Sequence, residues 1–138
     1  MAVRICAAAA VVAAVLVAAC SDPTAPAPPT PVPAQITDTF MGTLAVSATN
    51  VHKFTVQKVG NVQVTLTSIS PGASVLLGVG TLSSSTGSCA ALNSTTVVPG
   101  GSPQLNGTAT VTGDLCVSIA DIGDLVEPVN YTIVVFHS

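Results

Sequence analysis

Charge and aromatic rings are what this chain has least of. Charged residues make up 7% of its 138 positions and aromatics 3%, with no tryptophan. An average soluble protein is about one-quarter charged. The only basic side chains besides histidine are Arg4, Lys53 and Lys58. A nucleic-acid binder needs a lysine and arginine footprint to displace counterions from phosphates, so nucleic acid is excluded as a partner. A core must be assembled from Val, Leu and Ile, and a sugar-stacking platform has no Trp and one Tyr, Tyr131, to draw on. No amphipathic helical period runs through the chain. Also missing are a Gly-x-Ser-x-Gly elbow, a phosphate-cradling Gly-Lys motif and a nucleotide fingerprint. These gaps point to a non-enzymatic protein without a cofactor.

What is there begins with an N-terminal segment of distinct character. Arg4 precedes an uninterrupted apolar run, Ile5 to Ala19. As a helix the run would span about 22 Å at ~1.5 Å per residue, short of a bilayer's ~30 Å hydrocarbon core. That length suits the apolar centre of a signal peptide. The run ends in Val17-Ala18-Ala19-Cys20, which resembles the lipobox of bacterial lipoproteins: an aliphatic residue, two small residues, then the modified cysteine. The resemblance implies a diacylglycerol on the Cys20 thiol, cleavage after Ala19, and a membrane as partner through that lipid. Ser21 rather than Asp follows the cysteine, which in Gram-negative lipoproteins favours the outer membrane; the expected location is the cell envelope.

The cysteine count agrees with this reading. Cys6 leaves with residues 1–19, and the remainder holds Cys20, Cys89 and Cys116. An odd number is unwelcome in an oxidising compartment. Lipidation removes Cys20 from thiol chemistry and leaves one pair, Cys89 with Cys116. Closing that loop should stabilise the fold by about 3–4 kcal/mol. The processed chain also keeps two lysines against six acids, a formal charge of −4.

Residues 20–35 read as a tether. Prolines stand at 23, 26, 28, 29, 31 and 33, and proline lacks the N–H that helix or ladder requires. An extended, solvated spacer of about 45 Å follows, at ~3.1 Å per residue.

From Ile36 to Ser138 the pattern changes to short alternating runs broken by Gly, Pro, Asn and Ser. Strands are expected at Phe40–Val46, Val51–Gln57, Val62–Leu66, Ser74–Leu82, around Thr95–Val98, and at Leu105–Val111, Leu115–Ala120 and Val129–Phe136. The clearest is Val62–Leu66, where Val62, Val64 and Leu66 alternate with Gln63 and Thr65. Leu105–Val111 and Leu115–Ala120 read as a pair around Thr112-Gly113-Asp114. Cys116 points away from Leu115 and Val117, toward an outer face. Gly78 and Gly80, inside a strand pattern, mark a bulge or a close backbone approach. About seven or eight short strands without a helix give an all-β antiparallel sandwich of jelly-roll-like form.

Phe54-Thr55-Val56, Gly60, Val62 to Leu66, Gly113 to Ile119 and Asn130-Tyr131-Thr132-Ile133-Val134-Val135 together resemble a bacterial pre-peptidase C-terminal domain, over roughly Phe40 to His137. The resemblance implies a small sandwich of the kind that accompanies secreted enzymes and adhesins, some members binding matrix polymers or calcium. No catalytic region is attached here, and the family's Asp-rich central strand is missing.

Candidate chemistry is sparse. His52 alternates with Phe54 and Val56, so it sits at the rim of the core, and His137 lies next to the C-terminus. Neither has zinc-like neighbours in sequence. Asp114, Asp121, Asp124 and Glu127 form the one acidic group. Asp121, Asp124 and Glu127 are the candidate calcium ligands, although their spacing fits no EF-hand. The sequons at Asn93, Asn106 and Asn130 are chance matches in a chain rich in Ser, Thr and Asn. The expected function is a membrane-anchored display module for a protein or polysaccharide ligand, or an envelope accessory. Less supported are a carbohydrate-binding or adhesin-type module, a small hydrolase, and an assembly role through the doubly apolar last strand, where Val134 and Phe136 oppose Ile133 and Val135.

Overall fold

The computed structural model describes residues 26–31 and 34–138. The apolar run, Cys20 and the start of the tether lie outside the described residues. Residues 26–31 are exposed and form neither helix nor strand, as the loss of backbone donors at Pro26, Pro28, Pro29 and Pro31 would dictate.

Eight strands follow: β1 (Ile36–Leu44), β2 (Thr49–Val56), β3 (Gly60–Ser70), β4 (Val75–Leu82), β5 (Cys89–Val97), β6 (Leu105–Ala109), β7 (Gly113–Asp121) and β8 (Val129–His137). They form two four-stranded antiparallel sheets, ordered β1-β8-β3-β6 and β2-β7-β4-β5. Each of β1–β4 pairs with its counterpart counted back from the end: β1 with β8, β2 with β7, β3 with β6, β4 with β5. The chain is therefore one long antiparallel ribbon, folded at the β4–β5 hairpin and rolled so that successive pairs fall in opposite sheets. This is the jelly-roll sandwich expected from the sequence.

Alternation determines which side chains enter. Val62, Val64 and Leu66 of β3, Leu77 of β4, Val117 and Ile119 of β7, and Ile133 and Val135 of β8 are buried between the sheets. Burying each such side chain contributes about 1.5–3 kcal/mol. On β8 the opposite face carries Val134 and Phe136, both half-buried, with Thr39 and Thr65 flanking Val134 in register.

The expected pairing of Leu105–Val111 with Leu115–Ala120 does not form. β6 pairs with β3 and β7 with β2 and β4, so Thr110–Thr112 carries the chain from one sheet to the other. A two-sided ribbon requires this crossing: Leu105 and Ala109 face the core from one sheet while Val117 and Ile119 face it from the other. Gly113, at φ 128°, makes the turn that permits it. β5 is much longer than the short strand expected around Thr95–Val98, and most of it is exposed. A strand exposed on both faces has no apolar alternation to reveal it.

Cys89 and Cys116 are joined, with Cα atoms 5.7 Å apart. They belong to β5 and β7, which have β4 between them. Strands two apart in a flat sheet would stand ~9.6 Å apart, so the start of β5 leans across β4. Gly80, register partner of Cys116, makes room: a Cβ there would collide with the carbonyl of Ala90. The ladder shifts register at Val79/Gly80, as a bulge with close backbone approach should. Cys116 lies on the outer-face side of the alternation yet is fully buried, because β5 and the bridge cover it.

Candidate functional site

A rolled sandwich has two open sides, one where edge strands β1 and β2 meet and one where β5 and β6 meet. Every aromatic residue except Phe136, together with both histidines, lies along the first. Asp38 enters there from β1. Its Oδ2 stands 2.9 Å from Nε2 of His137, which is 1% exposed. Phe54 packs on that imidazole with ring centroids 5.2 Å apart. The other ring nitrogen, Nδ1, is 3.3 Å from the backbone carbonyl of Ser138. Among the described residues the His137 ring nitrogens are partnered by a carboxylate and a carbonyl, neither of them a nucleophile that an imidazole base would activate.

Farther along the same side, His52 stacks on Phe40 at 4.9 Å and meets Tyr131 edge-on. Its Nε2 is 2.7 Å from the Tyr131 hydroxyl. Asn50 Nδ2 donates to the same hydroxyl at 3.0 Å and to the Thr43 carbonyl at 2.9 Å. Accepting from Asn50 leaves the phenol proton free for Nε2, which fits a neutral imidazole protonated at Nδ1. Burial holds the His52 pKa below its ordinary value and raises that of Tyr131, with the Asn50 hydrogen bond partly opposing the latter. The phenol fits because its neighbour on β1 is Gly42; a Cβ there would come 2.7 Å from Oη. No buried side-chain nitrogen or oxygen among the described residues lacks a partner. The network satisfies itself, and its chemistry is to clasp β1, β2 and β8 together.

The acidic residues serve the same side. Asp121 Oδ1 accepts from the backbone N–H of Gly123, Asp124 and Leu125, while Oδ2 accepts from Ser47 N–H at 2.7 Å. The Ser47 bond is the main reason its pKa lies below the ordinary value. It fastens the β7–β8 connection to the β1–β2 turn. Asp114 accepts from Thr55 at 2.8 Å and Lys53 at 3.2 Å, and these bonds lower its pKa in that order. Asp124 and Glu127 are exposed. Among the described residues no three His, Cys, Asp or Glu side chains gather as metal ligands. Asp121 is thus a backbone staple, a role that Asp121-x-Gly123 spacing could have suggested as an Asx turn. The Asp38–His137 and Asn50–Tyr131 contacts, 99 and 81 residues apart, have no local signature.

The β5/β6 side is the reverse. Residues 59–113 contain no Asp, Glu, Lys, Arg or His, and they include β3 through β6. Here Val62, Val79, Leu92, Ala109, Val111 and Leu115 border an apolar cleft of about 210 Å³. Leu92 and Val111 are 79% and 63% exposed. Asn93 donates across the opening to the Asn106 carbonyl at 3.2 Å. Just before β6, Gln104 fastens the β5–β6 loop to β3: its Oε1 accepts from Leu66 N–H at 2.7 Å and its Nε2 donates to the Val98 carbonyl at 2.9 Å. No family model matches the chain, and no curated protein matches it significantly.

Proposed function

We propose that this chain is a lipid-anchored, non-enzymatic envelope protein that displays a small jelly-roll domain for binding. The observation that carries the reading is the order Val17-Ala18-Ala19-Cys20, then a proline-rich stretch, then a first strand at Ile36. A lipid at Cys20, a stiff spacer and a closed sandwich make a stand-off device. The pairing of Cys89 with Cys116 supports it, since Cys20 is then the one cysteine left over after residue 19. The His52–Tyr131–Asn50 and Asp38–His137 contacts favour binding over catalysis, because His52 Nε2, the Tyr131 hydroxyl and His137 Nε2 are each already held by a structural partner. The likeness to pre-peptidase C-terminal domains fits an accessory role of this kind.

A polysaccharide ligand is the second reading. A shallow depression on the outer face of the β1-β8-β3 sheet is lined by the uncharged hydroxyl and amide side chains of Thr43, Ser68, Ser70, Asn130 and Thr132, together with the apolar Met41. Neutral sugars are bound through such groups.

Expression of the full chain in a bacterial host, followed by membrane fractionation, tests the anchor. The chain should sediment with membranes and Cys20→Ala should release it or leave it unprocessed. Identical membrane association of both chains would overturn the reading.

A further inference from the structure

We propose that β5 is a homotypic docking edge, on which a second copy of this chain adds its own β5 as an antiparallel strand. One side of β5 is hydrogen-bonded to β4, and no strand among the described residues pairs with the other. Free edges invite pairing, and proteins usually blunt them with charge, proline or shortness. The remaining edges here are blunted. β1 carries Asp38 and β2 carries Lys53, and β6 has only five residues, one of its carbonyls already taken by Asn93. β5 has nine residues, CAALNSTTV, with no charge and no proline. Its one protective device is the bulge at Leu92, which leaves Asn93–Val97 as a regular run.

Two features select a second copy as the occupant. The first is symmetry. An antiparallel two-fold pairing that sets Thr95 opposite Thr95 also sets Leu92 opposite Val98 of the other copy, twice. Leu92 is 79% and Val98 59% exposed, so the pairing would cover both ends of the run with apolar contacts. The second is charge. The chain is net negative, and two copies repel unless they meet through neutral surface. Residues 59–113 provide it, whereas a charged partner strand would lose hydration at this edge without gaining an opposite charge. The inference rests on the anchored reading for one element: tethering to a membrane raises local concentration enough to populate a pairing of few residues.

The test uses the full chain carrying Thr95→Cys, expressed in a bacterial host, fractionated, mildly oxidised and run on a non-reducing gel. Thr37→Cys on β1 is the control. A membrane-bound adduct with the mass of two chains, absent from the control and lost when Ser94→Lys is added, is the expected result. Ser94→Lys places a charge on the exposed face of β5 and should leave the melting temperature unchanged. A membrane-bound chain that stays monomeric overturns the pairing and leaves the anchor standing. A soluble chain that cross-links only when concentrated overturns the anchor and leaves the pairing standing. A soluble chain that stays monomeric when concentrated overturns both. An adduct of any other mass overturns the choice of a second copy.

Discussion

The β1/β2 side and the β5/β6 side of this sandwich are built from opposite chemistries. The first gathers both histidines, Tyr131, Asp38 and the staple Asp121, each engaged with a neighbour. The second belongs to a stretch without a charged residue or histidine and leaves an apolar cleft and a free strand open. Buried polar networks are costly when half made, so a closed side must be completed in full. An open side needs no such completion, and its residues are free to meet another surface. Perturbation should therefore cost stability on the closed side and association on the open one, with the disulfide as the exception that holds β5 in place.

That exception gives the largest effect. Replacing Cys89 and Cys116 together by Ser should destabilise the domain by about 3–4 kcal/mol in the chain-entropy account. Thermal melting measures it, and the same loss should follow reduction of the wild-type chain. An unchanged melting temperature would mean that β5 is held without the bridge.

Tyr131→Phe comes next. It removes one hydroxyl, strands His52 Nε2 and leaves Asn50 Nδ2 with only its bond to the Thr43 carbonyl at a partly buried site, which should cost about 1–3 kcal/mol. Denaturant unfolding gives the figure. A neutral outcome would mean that water replaces the phenol and that this side is not sealed.

Acid should act through the same cluster. The folded-state pKa of His52 lies below the ordinary 6.5, so the unfolded chain takes up its proton first as pH falls. His52's contribution is fully present above 6.5 and is lost as pH drops from there toward the folded value. Melting temperatures of wild type and His52→Gln, followed from about pH 7.5 to 5, should converge as acid is added. Parallel profiles would remove His52 as the cause. Asp114 and Asp121, whose pKa values are lowered from 3.8, lose their contributions only below that value.

The smallest effect belongs to the open side. Leu92→Ser should change stability by no more than about 0.5 kcal/mol, as is usual for exposed positions, in the same unfolding assay. A larger loss would place Leu92 in the fold's core account and take it out of the docking surface.

How far the sequence foretold these two sides follows from what each displays along the chain. Val62, Val64 and Leu66 alternate because one face of β3 is buried, and that period is visible at once. Gly80 in a strand announced a close approach, which Ala90 makes. His52 two residues from Phe54 indicated the core's rim, where it sits. β5 was under-read because exposure on both faces erases the period. The β6–β7 link looked like a hairpin because its length and Gly113 suit either a turn or a crossing between sheets. The clasping pairs were invisible since Asp38 and Asn50 meet partners at the far end of the chain, and only rolling the ribbon brings them together.

Mass spectrometry of the mature N-terminal peptide, taken from membranes of cells expressing the full chain, tests the central claim most directly. The peptide should begin at Cys20 and carry the added mass of a diacylglycerol on that residue. A mature chain beginning elsewhere, or one with Cys20 unmodified, would contradict the account of a displayed, lipid-held domain.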